Sequence, residues 1–266
     1  MTSSDSRRDG DGTLAYCVLA CLITWALATP AALCFLGHEP VPPILLAATG
    51  LSAFGPLLAA LFVTVPRRQA GGVFRPWRTR PQWIVLALLA PLATHLLALA
   101  LYALLVGPPA RWLHPPVTAQ HIAAMVVFSI GEELGWRGFL QPRLAARFGH
   151  VRGALMVGVV WGIWHLAYSV TPQGELDLIT FALLLIKLPL WSVIIAWAMS
   201  RAQGSLAVAL AVHAGAHLDN IQRAPTLDLA LHGLHVFVVA LLAAAAARAL
   251  ATRPEPRVTP LRPVRA

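Results

Sequence analysis

The amino-acid sequence predicts an all-α membrane protein, a polytopic bundle of about eight transmembrane helices. The first observation is composition: 58% of the residues are hydrophobic and 12% are charged, whereas soluble domains carry about a quarter charged residues. The mean hydropathy is correspondingly high, at +0.70. The second observation is the recurrence of long apolar runs, several of them close to the roughly 20 residues that cross a bilayer as a helix.

The apolar runs divide the chain into expected spans that are joined by short polar connections. The spans are expected at 14–36, 43–65, 83–106, 119–141, 154–170, 178–200, 205–217 and 227–250. The polar residues 1–12 are predicted to form a disordered cytoplasmic N-terminus. The bundle is expected to occupy 13–251, and 252–266 a basic cytoplasmic tail. The first run is longer than the hydrophobic region of a signal peptide, which predicts a retained span.

The basic residues indicate how the bundle is oriented. A net charge of +9 suits either nucleic acid or a membrane surface, and the distribution of the arginines favours the membrane. Only Arg111 and Arg223 fall in the connections expected outside the cell. By the positive-inside rule, both termini are predicted to be cytoplasmic in a protein of the inner cell membrane, with the lipid bilayer and no nucleic acid as partner. The cytoplasmic arginines would be Arg7, Arg8, Arg67, Arg68, Arg75, Arg78, Arg80, Arg143, Arg147, Arg152, Arg201, Arg253, Arg257, Arg262 and Arg265.

Ionisable side chains are costly at bilayer depth and usually face the bundle interior, and those in three of the expected spans stand out. They are Glu132 and Glu133 in the fourth span, His165 in the fifth, and His213 and His217 in the seventh. A rise of about 1.5 Å per residue places them roughly 13–19 Å from the cytoplasmic ends of their spans. Three helices are therefore expected to bring carboxylates and imidazoles into one layer.

The two adjacent carboxylates are expected to have different roles. Glu133 precedes Arg137 by four residues, the spacing and order in which a helical ion pair forms best. We interpret that pair as structural. Glu132 lies about 100° further round the helix, which leaves its carboxylate available to take a proton from water and return it.

These residues form three short motifs. "EELGWR" begins at Glu132, "WGIWH" ends at His165, and "HAGAH" runs from His213 to His217. Together they resemble the CPBP family, the type 2 CAAX prenyl proteases and their bacterial relatives, which include bacteriocin-processing and self-immunity proteins. The family pattern is EExxxR, FxxxH and HxxxN. Trp161 therefore stands where the family has phenylalanine, an exchange that we interpret as packing, and His217 replaces an asparagine.

The resemblance covers about 119–220 and implies an intramembrane endopeptidase with a helical catalytic core. It implies that Glu132 and His165 activate the hydrolytic water, and that His213 and the residue at 217, here His217, stabilise the oxyanion. Such chemistry needs a proton acceptor and donors aimed at the developing negative charge. The expected substrate is a peptide or membrane protein, processed in the manner of CAAX proteins and reached from the cytoplasmic side.

The exchange at His217 leaves alternatives open. A neutral histidine donates only in the right tautomer, whereas asparagine always donates; Asn220 is another candidate donor. A non-catalytic immunity or scaffold protein is the main alternative, and a proton-coupled transporter is less favoured because the chain lacks internal repeats. His213 and His217, with His165 and Glu132, would suit zinc, but HExxH is absent and water activation by glutamate needs no metal. No cofactor is therefore favoured, and zinc is the alternative.

Overall fold

The computed structural model describes residues 5–67, 73, 77–112, 118–218 and 227–252. The described part of the chain forms ten α-helices. They are α1 (Asp5–Leu36), α2 (Pro43–Leu51), α3 (Gly55–Thr64), α4 (Pro81–Leu105), α5 (Ala119–Glu133), α6 (Gln141–Phe148), α7 (His150–Trp164), α8 (Leu178–Arg201), α9 (Leu206–Leu218) and α10 (Leu229–Ala251).

Within the described residues, six helical stretches are long and apolar enough to cross a bilayer, which confirms the prediction of a helical transmembrane bundle. They are Gly12–Leu36, Pro43–Thr64, Pro81–Leu105, His150–Tyr168, Leu178–Arg201 and Leu229–Ala251.

The expected number of about eight spans is not exact, and the difference lies in the fourth and seventh. The fourth is helical but divided between α5 and a π-helix, and the seventh is a shorter apolar helix, Leu206–His217. Both carry site residues, whose polar side chains lower the hydropathy of a short segment.

Three expectations from the sequence concern the two termini of the chain and Asn220. Helix α1 begins at Asp5, inside the stretch 1–12 that the sequence assigns to a disordered N-terminus. Residues 253–266 of the predicted tail lie outside the described residues. Asn220, the alternative amide donor, lies outside them as well.

Local sequence signals account for several helix boundaries. Helices α2 and α4 each have proline in their first turn, where the missing N–H group costs no intrahelical hydrogen bond. Asp177 and Asp228 cap α8 and α10, and their carboxylates accept hydrogen bonds from backbone N–H groups at 2.9 and 3.0 Å. Gly149 separates α6 from α7 with φ of 81°, a left-handed conformation that glycine adopts without steric cost.

Glycine residues let the helices of the site pack closely together. Gly158 of α7 lies against Pro189 of α8, so closely that a Cβ atom at position 158 would overlap the proline backbone. Gly215 of α9 lies in the same way against the carbonyl oxygen of Leu88 in α4. Such close backbone approach is typical of helix packing in membranes, where small residues let dispersion contacts accumulate. The packing fixes α7 and α9 relative to their neighbours.

Candidate active site

The segment that carries the two carboxylates changes its helical geometry beside them. Glu133 is the last residue of α5, and Leu134–Leu140 continues as a π-helix in which every residue is buried. Segments of π-helix are rare and occur frequently at functional sites. The wider turn places Arg137 inside the bundle, against residues of α7 and α8.

Glu133 is the centre of a buried charged network. Its Oε1 atom accepts a hydrogen bond from Nη1 of Arg137 and another from Nδ1 of His213, each at 2.8 Å. Arg137 also donates from Nη2 to Ser192 Oγ at 3.1 Å, and its guanidinium carbon lies 4.4 Å from the centre of the Trp161 ring. The Glu133–Arg137 contact therefore forms at the spacing that the sequence indicates. The contact with His213 gives Glu133 a second role that the sequence did not indicate.

Glu132 is buried like the adjacent Glu133, with 6% of its surface exposed. Its hydrogen-bond partners are different. Its Oε2 atom accepts a hydrogen bond from the indole Nε1 of Trp161 at 2.8 Å. Nε2 of His213 lies 4.0 Å from the same oxygen, which is beyond hydrogen-bond distance. Because an ionised carboxylate only accepts, His213 donates from Nδ1 to Glu133 and presents Nε2 towards Glu132.

His165 is the first residue of a 3₁₀ turn that continues α7, His165–Tyr168. Its Nδ1 atom is 2.8 Å from the carbonyl oxygen of Trp161. A carbonyl oxygen only accepts, so Nδ1 carries the hydrogen and the neutral ring keeps an acceptor at Nε2. The ring is surrounded by aromatic side chains, with centroids 5.8 Å from Trp161 and 4.9 Å from Trp164. These contacts hold the imidazole in one orientation.

His217 lies one turn further along α9 than His213. The two imidazole rings are stacked, with centroids 5.0 Å apart and planes at 23°. His217 is half-buried. The stacking places its ring at the site, at the position where the motif has asparagine.

The fold joins the predicted residues in two ways. Glu133, Arg137 and His213 are joined by hydrogen bonds, with Glu132 beside them, whereas His165 and His217 reach the group through ring contacts. Sequence reasoning missed Trp161 as a donor to Glu132 and Ser192 as a partner of Arg137. For Trp161 a signal existed, since the exchange of phenylalanine for tryptophan adds an N–H donor. For Ser192, on another helix, no local signal marks the contact.

The same contacts bear on a metal site. Among the residues that the structure describes, no group of three or more His, Cys, Asp or Glu side chains is arranged to hold a metal ion. The Nδ1 atoms of His213 and His165 are directed at Glu133 and at a carbonyl oxygen. Hydrogen bonds of this kind are also made by metal-ligating histidines, which bind the metal through the other ring nitrogen, so zinc stays the alternative that the sequence offers.

Comparison with known families agrees with the motifs. Residues 114–218 match the family model described as "Type II CAAX prenyl endopeptidase Rce1-like", and this stretch contains all the site residues above. The match confirms the family resemblance and supports an intramembrane endopeptidase at the level of the family. With the six apolar helices, it indicates a multi-pass membrane protein that acts on a protein or peptide. No curated protein matches the chain.

Proposed function

We propose that the chain hydrolyses a peptide bond within the membrane by glutamate-activated water. The proposal starts from the match of residues 114–218 to the Rce1-like family model. Glu132 and His165 activate the water, and His213 and His217 stabilise the oxyanion. The observation that carries the proposal is the division of labour between the adjacent carboxylates. Glu133 accepts hydrogen bonds from Arg137 and His213, whereas Glu132 is buried beside a neutral indole donor.

The first step assigns the proton acceptor. Glu132 takes a proton from water as the water oxygen forms a bond to the carbonyl carbon, and the π electron pair moves to the carbonyl oxygen. His165, with its Nδ1 hydrogen directed at the Trp161 carbonyl, offers Nε2 as an acceptor that orients the water. Glu132 then passes the proton to the leaving nitrogen as the C–N bond breaks, as general acid–base catalysis requires.

The oxyanion needs donors at the position where its charge develops. Since Nδ1 of His213 is directed at Glu133, its donor to the substrate is Nε2, and this requires the doubly protonated imidazolium. Glu133 behind the ring compensates that charge. His217, stacked on His213, supplies a second ring at the same level, and its N–H group takes the place of an asparagine amide.

The orientation and substrate complete the proposal. The chain lies in the inner cell membrane with both termini in the cytoplasm, and it receives a peptide or membrane-protein substrate from that side in the manner of CAAX processing. The asymmetric placement of arginines supports this orientation. Water activation by glutamate needs no metal, and zinc is the alternative.

The test is peptide cleavage by purified protein in nanodiscs, with products identified by mass spectrometry over a library of membrane-associated peptides. Glu132→Gln is expected to lose at least about 10²-fold in turnover, since general acid–base catalysis contributes about that much. Glu175→Gln, the same change at an exposed site, is the matched control and keeps its activity. Full activity of Glu132→Gln would refute the assignment. Absence of turnover in the unmodified protein would favour the non-catalytic immunity or scaffold function.

A further inference from the structure

We propose that Trp161 is a positioning residue of this site, and that its indole N–H group holds the Glu132 carboxylate in place for proton transfer. The inference rests on the proposed function and adds to it a residue that the motif does not supply, because the family has phenylalanine at this position. The sequence by itself favours packing for Trp161, and the structure shows a contact that packing does not need.

Trp161 lies at the centre of the site. Its side chain is 4% exposed, and Nε1 donates to Oε2 of Glu132 at 2.8 Å. Its ring centroid is 5.1 Å from that of His213 and 5.8 Å from that of His165. The Arg137 guanidinium carbon lies 4.4 Å from the ring centre. One side chain thus contacts the proton acceptor, two imidazoles and the buried cation.

The chemistry of indole suits a positioning role beside a proton acceptor. Its N–H group donates and does not accept, so the hydrogen bond holds the carboxylate without competing for the proton that Glu132 takes from water. A phenylalanine at this position would keep the aromatic contacts and lose the donor. Glu132 would then be free to change rotamer in its buried surroundings.

The competing interpretation is that the indole satisfies its own buried N–H group with a nearby acceptor, as buried polar groups generally do. The two interpretations predict different kinetics for Trp161→Phe. If the hydrogen bond only satisfies the indole N–H group, Trp161→Phe loses stability and its kcat is unchanged. If it positions Glu132, kcat falls while KM is unchanged, because the binding surface is retained.

The experiment compares Trp161→Phe with Trp83→Phe, a matched control that removes an indole N–H group away from the site. The Trp83 ring packs against Trp197, with centroids 6.4 Å apart. We expect kcat of Trp161→Phe to fall about 10- to 100-fold, the equivalent of one hydrogen bond to a charged group, with KM within about twofold. Trp83→Phe is expected to retain kcat. Should Trp161→Phe fail to fold, benzothienylalanine at this position keeps the shape of indole and removes only the N–H group.

A second measurement does not depend on turnover. The infrared band of the Glu132 carboxyl group is identified by subtracting the spectrum of Glu132→Gln. It is expected to shift in Trp161→Phe and to stay in place in Trp83→Phe. An unshifted band in Trp161→Phe overturns the inference. An unchanged kcat in Trp161→Phe, measured while Glu132→Gln is inactive, also overturns it and leaves the proposed function standing. Full activity of Glu132→Gln instead refutes the proposed function, and the positioning role with it.

Discussion

Replacing Glu133 by glutamine tests the buried network most directly. The change keeps the size of the side chain and removes its charge, while Arg137, which is 0% exposed, stays in place. Arg137 would keep Ser192 and the Trp161 ring as neighbours, neither of which is negatively charged. A buried guanidinium that has lost its hydrogen-bonded counterion is strongly unfavourable in a medium of low dielectric constant.

The expected magnitude follows from the burial of both partners. Breaking a buried ion pair by removing one member costs about 3–5 kcal/mol. For a chain of this size, roughly 2–4 °C of melting temperature correspond to each kcal/mol, so we expect a fall of about 6–20 °C. Turnover should fall too, because Glu133 also accepts the hydrogen bond from Nδ1 of His213. A purely structural role for Glu133 would leave the turnover of the folded variant unchanged.

The assay is thermal unfolding in detergent together with turnover below the melting temperature. Glu175→Gln is the matched control, since the same change at an exposed position is expected to alter stability by less than about 0.5 kcal/mol. The double variant Glu133→Gln/Arg137→Met should recover part of the lost stability, because it removes the stranded charge. If Glu133→Gln melts together with the Glu175→Gln control, the Glu133–Arg137 pair does not stabilise the fold.

Three further outcomes are expected. His217→Asn should keep or improve turnover without bound zinc, since an amide donates without a tautomer requirement, whereas His217→Ala should lose about 10²–10³-fold; an inactive His217→Asn that has lost stoichiometric zinc would favour the metal. Reporter fusions after Arg201 should be cytoplasmic and those after Pro172 periplasmic, and the reverse pattern would refute the orientation. The hydrogen bond from the Leu231 backbone lowers the pKa of Asp228. The stabilisation of α10 by the Asp228 carboxylate is therefore fully present above the ordinary pKa of aspartate and is lost as pH falls through the lowered pKa. Asp228→Ala should therefore cost about 1 kcal/mol at neutral pH and less near pH 3, as measured by unfolding at both pH values.

Several features of the site could be predicted from sequence because they depend on spacing along one helix. Glu133 and Arg137 are four residues apart, and this separation brings the two side chains to the same face of a helix. A carboxylate in an apolar run is similarly informative, because its cost at bilayer depth requires a compensating environment. The number of spans was harder to predict, since a π-helix divides the fourth expected span and α9 is shorter than the helices that can cross a bilayer.

The sequence by itself determined the helical membrane fold, the family resemblance and the residues from which a site could be built, because hydropathy, helical periodicity and short motifs are local properties. Only the tertiary structure decided which atoms meet. It placed His213 against Glu133, and it joined the Trp161 indole to Glu132. It also brought Ser192 to Arg137. These contacts join helices that are far apart in the chain, and their geometry depends on how closely the helices pack, which no local pattern encodes.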